Sequence, residues 1–276
     1  MNYKKLNPDS SPQARFGADL RSKREEKGWR QWELADEMGY SASHVSSVEN
    51  GRKLSTLRFA CHADSALGTG DMFERKWREI RLGSLLEGFP EYLGYEGRAV
   101  EIRLYEIGIV PGLLQIGPYA QTLADIAVQR GAITVEQAKE RVTLLAERQA
   151  ALVRAKPPIM IVVMDESCIR RPVGGPKVMS AQLQALLDFA ARPHTALHIA
   201  PFSMGEHRAF DLPVNLLTMA DRSLVAYAES QTQGHMDRET SLVVPLLNDY
   251  HHLQTHVLSQ VDSVAMIKQA LSSSRQ

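Results

Sequence analysis

One segment, QWELADEMGYSASHVSSVENG at residues 31–51, constrains the fold of this chain more than any other. It predicts two short helices, over 31–38 and 41–50, because apolar residues recur at helical spacing in each half. Gly39 permits a sharp turn between them, and Ser41 is a good N-cap for the second helix. The side chains predicted to pack between the helices and to fix their angle are Leu34, Ala35, Met38, Val45 and Val48.

The other side of the second helix carries small polar residues, which are predicted to face outward. A helix with such a surface fits the major groove of DNA and reaches base edges. Gln31, Arg52 and Lys53 flank it and are placed to contact phosphates. Short serines discriminate less than a bidentate Arg–guanine pair, which contributes about 1–3 kcal/mol, so specificity is expected to depend also on DNA shape and dimer spacing. The residues predicted to bind DNA are Gln31, Ser41, Ala42, Ser43, His44, Ser46, Ser47, Arg52 and Lys53.

Length and composition are those of an ordinary soluble globular protein. The 276 residues are enough for two domains, with 44% hydrophobic and 23% charged residues. No apolar run approaches the ~20 residues that span a bilayer, and residues 1–13 lack the apolar core of a signal peptide. Cys61 and Cys168 lie far apart and indicate no disulfide framework. We therefore expect a cytoplasmic protein with no membrane partner.

The net charge of zero, taken alone, argues against a protein that binds nucleic acid. The charge is unevenly distributed, however. Residues 1–81 contain 15 Lys+Arg and 12 Asp+Glu, a balance of +3, whereas residues 82–276 contain 17 and 20, a balance of −3. This small asymmetry permits a local phosphate-binding face without proving one.

The glycine-rich stretch at 83–97 separates a part with only helical patterns from a part with both helical and strand patterns, which predicts two domains. The first is expected to be all-α, with five helices over 15–27, 31–38, 41–50, 56–67 and 71–82. The predicted organisation is a flexible N-terminus at 1–12, a helix-turn-helix domain at 13–82, a linker at 83–97 and an α+β domain at 98–276.

The second domain is predicted to hold a small mixed sheet with helices packed on it. Strands at 159–164 and 196–200 flank a helix at 176–191, which predicts a βαβ unit. Two further strands, at 214–220 and 224–228, are close enough in sequence to form a hairpin. The other helices are predicted over 118–130, 134–154, 238–258 and 261–271.

The first domain resembles the Xre and phage-repressor class of helix-turn-helix domains, which is lambda-repressor-like in fold. The similarity covers roughly residues 13–68, and its most specific part ends in Val48-Glu49-Asn50-Gly51. Ala42 departs from the polar residue often found at its position. The resemblance implies base contacts from Ala42, Ser43 and Ser47, with His44 close by, and phosphate contacts from Gln31, Arg52 and Lys53.

The second domain resembles the C-terminal domain of actinobacterial regulators of the WhiJ-like group. The strings that carry the similarity include Ile109–Gln115, Tyr119-Ala120, Arg148-Gln149, Val173-Gly174-Gly175 and Tyr227-Ala228-Glu229. Ile116 departs from the Thr that is usual there. The resemblance implies a transcription regulator whose C-terminal domain receives a signal, for instance from a small partner protein encoded nearby. Some members are antitoxin-like.

Several polar residues of the second domain are candidates for contact with a ligand or partner. Carboxylates and arginines follow the strand at 159–164, and strand ends of α/β units often host ligands. A structural salt bridge between sheet and helix explains the same residues and is the favoured interpretation there. The candidates are Gln115, Arg148, Glu166, Arg170, Arg171 and Glu229.

The sequence contains few motifs that indicate catalysis or metal binding. No GxSxG, P-loop or GxGxxG motif is present. His252 and His256 lie four residues apart on a predicted helix, with Asp249 one turn earlier, a spacing that can hold a metal. A solvated histidine face is the simpler interpretation, since the glutamate of HExxH is missing. The sequence therefore predicts no metal, no cofactor and no enzymatic activity.

Three functional hypotheses follow. The first is a sequence-specific transcription regulator that binds double-stranded DNA as a homodimer, because one short helix seldom gives enough affinity, and that receives a ligand or partner signal. The second is an antitoxin-like module that sequesters a small partner protein, with autoregulatory DNA binding. The third is a DNA-tethered enzyme that uses Glu166 or Glu229 with a nearby Arg or His.

Overall fold

The chain folds as two compact units, Met1–Leu85 and Leu86–Gln276, each with its own hydrophobic core. This confirms the predicted fold class, a helical domain followed by an α+β domain with a mixed sheet. The computed structural model describes residues 8, 11–53, 55–82, 85–86, 88–230 and 233–274.

In its described residues the first unit contains five helices, at the places where the sequence predicts them. Ser11 caps the first helix by accepting a hydrogen bond from Ala14 N at 3.1 Å, so this helix begins earlier than expected, within the segment predicted to be flexible. The turn after the second helix is made by Gly39, whose φ of 70° is left-handed. The helices are α1 (Pro12–Glu26), α2 (Gln31–Met38), α3 (Ala42–Glu49), α4 (Leu57–Leu67) and α5 (Met72–Leu82).

The core of this unit is built from the apolar stripe of each helix. Phe16 of α1 and Phe73 of α5 meet edge to face at 5.3 Å between ring centroids. The five residues predicted to set the angle between α2 and α3 are all buried, namely Leu34, Ala35, Met38, Val45 and Val48. That part of the sequence prediction is confirmed.

Gly17 of α1 allows the closest helix contact in the first unit. A Cβ added there would lie 2.8 Å from the Glu49 carbonyl oxygen and closer still to the Val48 carbonyl oxygen. Both atoms belong to the backbone at the end of α3, so no side-chain rotation relieves the overlap. The absence of a side chain at residue 17 therefore lets α1 support the end of α3.

We expect Gly17→Ala to destabilise the first unit by about 1–3 kcal/mol, the usual cost of overpacking a well-packed contact. The measurement is urea unfolding followed by tryptophan fluorescence. All three tryptophans, Trp29, Trp32 and Trp77, lie in the first unit, so the signal reports this unit alone.

Gly94→Ala is the matched control, because Gly94 also lies in a helix and an added Cβ there meets nothing within 4 Å. It should leave the tryptophan transition unchanged. An unfolding midpoint for Gly17→Ala equal to that of the wild type would show that α1 and α3 are not in this contact.

The second unit is α+β, with the helices and strands in mixed order. Its helices are α6 (Phe89–Glu96), α7 (Gly117–Gln129), α8 (Val135–Leu152), α9 (Ser167–Arg170), α10 (Gly175–Ala190), α11 (Thr240–Gln254) and α12 (Gln260–Ser273), with short 3-10 helices at Gly112–Leu114 and Phe202–His207. Its strands are β1 (Glu101–Glu106), β2 (Ile159–Asp165), β3 (Thr195–Ala200), β4 (Val214–Thr218), β5 (Leu224–Glu229) and β6 (Gly234–Asp237).

The six strands form one mixed sheet in the order β3-β2-β1-β4-β5-β6. Strands β1, β2 and β3 are parallel, whereas β4, β5 and β6 form an antiparallel meander. The predicted parallel pair β2 and β3 and the predicted β4–β5 hairpin are both present.

Two parts of the second unit differ from the sequence prediction. Residues 83–97 were expected to be a linker because of their glycines, but α6 lies within them and buries Tyr92 in the second core. Strand β1 was not expected, because charged Glu101, Arg103 and Glu106 interrupt its apolar residues. In the structure β1 is central, and Arg103 pairs with Glu101 on the strand itself.

The sheet is covered on both faces, and the alternation of side chains along each strand decides which face a residue joins. Met160, Val162 and Met164 of β2 lie in the larger core with α10 and α12, while Val163 lies in the core beneath α11. The buried Tyr250 hydroxyl on α11 bonds to the Leu104 and Ile161 carbonyl oxygens, at 3.0 and 2.9 Å. Its position fixes α11 against two neighbouring strands.

Candidate nucleic-acid interface and ligand cavity

The outward side of α3 is a surface of small side chains. Ser41, Ala42 and Ser43 are exposed, and Ser46 and Ser47 are half-buried. Ser41 caps the helix by accepting from His44 N at 3.2 Å. This is the arrangement that the sequence predicts for a helix that approaches DNA closely, although the DNA contacts themselves remain predictions.

The serine hydroxyls of this surface are partly engaged within the helix. Ser47 Oγ donates to the Ser43 carbonyl oxygen at 2.8 Å, so its oxygen is left to accept hydrogen bonds. Ser46 Oγ accepts from Asn50 Nδ2 at 3.3 Å. A hydroxyl whose proton is used inside the helix offers only lone pairs to a base edge.

His44 lies differently from the other predicted DNA contacts. Its ring stacks on Phe59 with centroids 5.3 Å apart, and meets Tyr40 edge to face at 5.0 Å. Its Nε2 atom is buried, and burial, followed by the nearby charge of Lys53, lowers the pKa of His44. His44 is half-buried: its ring belongs to an aromatic cluster with α4, while its Nδ1 lies 3.5 Å from Lys53 Nζ.

A buried ion pair holds the end of α3 against α1. Glu49 is fully buried and accepts from Arg24 Nε at 2.6 Å and from Arg24 Nη2 at 3.0 Å. Gln31 Nε2 also donates to Glu49 Oε2, at 2.8 Å. One N–H group of Gln31, which the sequence assigned to a phosphate, is thus used inside the unit. Three helices meet at a single carboxylate.

Glu49→Ala should destabilise the first unit by about 3–5 kcal/mol, because it removes the only buried carboxylate that pairs with the Arg24 guanidinium among the described residues. Tryptophan-detected urea unfolding measures this. Glu25→Ala removes an exposed partner of the same arginine and should cost less than about 1 kcal/mol. Equal losses in the two variants would refute a special role for Glu49.

Two cations follow α3 directly. Arg52 and Lys53 are exposed, and the backbone N–H groups of both donate to the Ser47 carbonyl oxygen, at 2.9 and 3.2 Å. These bonds hold the loop against the end of the helix. The two residues are thereby held next to the C-terminal end of α3.

In the second unit a cavity of about 280 Å³ brings together three of the six predicted ligand residues, Gln115, Arg148 and Glu229. The sequence prediction missed Glu106 and Asn215, which also line it. Glu106 is the last residue of β1. Polar residues at strand ends count as candidates in the sequence prediction, so Glu106 would be among them if β1 had been predicted.

The polar groups on one side of the cavity are locked by mutual hydrogen bonds. Arg148 donates to both carboxylate oxygens of Glu96, at 2.8 and 2.7 Å. Gln115 Nε2 donates to the Val110 carbonyl oxygen at 2.7 Å, and Gln149 Nε2 donates to the Gln115 carbonyl oxygen at 2.7 Å. These residues give the cavity a fixed wall.

The carboxylates of Glu106 and Glu229 accept fewer hydrogen bonds than the carboxylate of Glu96. Among the described residues, Glu106 Oε1 accepts a hydrogen bond from the neighbouring backbone N–H of Ile107 alone, at 3.1 Å. Glu229 Oε1 accepts from the Tyr227 hydroxyl at 2.9 Å. Burial, together with the charge of Glu229, raises the pKa of Glu106 to about 7.

The Glu106 pKa makes stability depend on pH. The pKa rises from about 4.5 to about 7 on folding, so the stabilising effect of the protonated carboxyl is complete below pH 4.5 and is lost as the pH rises through 7. Glu106→Gln, which cannot ionise, should match the wild type near pH 4.5. At pH 8 it should be more stable by up to about 3 kcal/mol.

Urea unfolding followed by far-UV circular dichroism tests this, with the exposed Glu206→Gln as the control. If the difference between Glu106→Gln and the wild type is the same at pH 5 and pH 8, burial does not perturb this carboxyl.

The other three candidates lie outside this cavity. Glu166 Oε1 pairs with Arg170 Nε at 3.1 Å, and Glu166 Oε2 accepts from Phe202 N at 2.9 Å. Arg171 is exposed. The ion pair is therefore local to α9, and the second carboxylate oxygen links this helix to the segment after β3.

Within the described ranges, no group of three or more His, Cys, Asp or Glu side chains is arranged to hold a metal ion. His252 and His256 are exposed, and their rings lie 4.6 Å apart between centroids. No helix in the described part of the chain is both long and apolar enough to cross a bilayer.

The fold and the exposed α3 surface define a helix-turn-helix protein with a large second domain. Residues 15–74 match a family model described as a helix-turn-helix domain, and residues 89–269 match a domain of unknown function (DUF5753). The chain belongs to the family of that second domain, whose match runs from α6 into α12. No curated protein and no solved structure matches the chain. The helix-turn-helix domain indicates a DNA-binding regulator rather than an enzyme.

Proposed function

We propose that this protein is a sequence-specific transcription regulator that binds double-stranded DNA through α3 and receives a signal through its second unit. The observation that carries the proposal is the exposed surface of small side chains on α3, which is flanked by Arg52 and Lys53. Small side chains let the helix approach base edges closely, and the two cations supply phosphate contacts.

We further propose that the protein is an Xre-type regulator of the WhiJ-like group and that it binds DNA as a homodimer. The eight residues of α3 offer few contacts, and one of the predicted partners, His44, is half-buried with its ring stacked on Phe59. Two copies on adjacent half-sites would double the contacts and add specificity through their spacing.

Fluorescence anisotropy with DNA from upstream of the protein's own gene tests the proposal. Arg52→Ala should weaken binding about tenfold and reduce the slope of log affinity against log salt by about 1, because one phosphate contact is lost. Ser43→Glu should abolish binding, since it places a carboxylate against the DNA.

Ser65→Glu is the control, because Ser65 is an exposed serine on α4, outside the proposed surface. It should bind as the wild type does. Wild-type affinity in both Ser43→Glu and Arg52→Ala would refute the proposed interface.

A second candidate function is antitoxin-like: the second unit sequesters a small partner protein, and DNA binding is autoregulatory. It is favoured by a groove of about 700 Å³ whose rim includes Val153, with 84% of its surface exposed. Under this alternative, Ser43→Glu would still bind the product of a neighbouring gene with full affinity.

A further inference from the structure

The 280 Å³ cavity lies where side chains of α6, β1, α8, β4 and β5 meet. This volume is near the lower limit for small-molecule sites, so it suits a compound of one ring or a short chain. Its walls are partly apolar and include Phe89 and Leu104, whereas Glu106, Glu229 and Arg148 supply charged groups to its lining.

The cavity carries an excess of negative charge. Among the described residues, neither Glu106 nor Glu229 forms an ion pair; each accepts one hydrogen bond, from Ile107 N and from the Tyr227 hydroxyl. Arg148 makes a bidentate pair with Glu96 and also attracts Glu229, so its one positive charge is outnumbered by the carboxylates of Glu96, Glu106 and Glu229. Each of the two carboxylates therefore keeps an oxygen with no bonded partner among the described residues.

We propose that this cavity binds a small organic cation, whose charged group lies between Glu106 and Glu229. A protonated primary amine with a compact apolar body has the required chemistry, since the ammonium donates three hydrogen bonds and the body packs on Phe89 and Leu104. An anion would meet two carboxylates, and a neutral alcohol would leave the negative charge uncompensated.

This inference names a ligand class for the signal-receiving role proposed above. Its regulatory meaning rests on that role, but the binding itself does not. If the protein binds the amine but not DNA, the regulator proposal is refuted and the cavity assignment stands. If it binds DNA but not the amine, the cavity assignment is refuted and the regulator proposal stands.

Binding of a cation is expected to be linked to proton release from Glu106. Burial raises the pKa of this carboxyl to about 7, so near neutral pH Glu106 is protonated in part of the molecules when no ligand is bound. A bound ammonium favours the ionised form, and the affinity should therefore fall about tenfold between pH 8 and pH 6. The titratable or charged groups around Glu106 are Glu229 and Tyr227 on β5, Arg148 on α8, Glu96 on α6, Tyr119 on α7 and Cys168 on α9.

The test is isothermal titration calorimetry of the full chain with benzylamine, benzyl alcohol and benzoate at pH 8. These compounds share one ring and differ in the charge of the head group. We expect benzylamine to bind at least tenfold more tightly than the other two, and about tenfold more weakly at pH 6 than at pH 8.

Glu106→Gln and Glu229→Gln should each weaken benzylamine binding at least tenfold, while the exposed control Glu206→Gln should not. Glu229 is exposed, so its variant keeps the fold even if Glu106→Gln does not. The proposal is overturned if benzylamine fails to bind at millimolar concentration, if benzoate binds as well or better, or if Glu229→Gln binds like the wild type.

Discussion

The DNA-binding unit depends on the buried carboxylate of Glu49. A charged group with no solvent contact is tolerated only where donors surround it, and here Arg24 of α1 and Gln31 of α2 supply them. Gly17 adds a steric condition, since only glycine lets α1 come close to the end of α3. The buried apolar side chains between α2 and α3 set the angle of α3, and these two contacts hold its C-terminal end against α1.

The sequence predicts most of the first unit because its helices bury one periodic stripe each. The spacing of Leu34, Met38, Val45 and Val48 is enough to locate both helices and the side that is buried. Periodicity does not reveal contacts between distant segments. The ring of His44 turns inward because Phe59 lies fifteen residues later in the chain but directly against it in space.

The second unit was predicted less completely, for a related reason. Strands β2 and β3 are continuous apolar runs, whereas β1 alternates apolar and charged residues and pairs its own Arg103 with Glu101. A central strand of this kind has no local signature. The lining of the 280 Å³ cavity was therefore predicted only in part: Gln115, Arg148 and Glu229 were among the candidates, and Glu106 at the end of β1 was not.

The hydroxyl of Tyr250 has a mechanical consequence. Its single proton is shared between carbonyl oxygens of β1 and β2, so the hydroxyl holds α11 in one position relative to both strands. If the helix moved along either strand, the buried Tyr250 hydroxyl would lose its hydrogen-bond acceptor. Changes of length in the connection between β6 and α11 must accordingly be absorbed by that connection, while the helix itself stays in place.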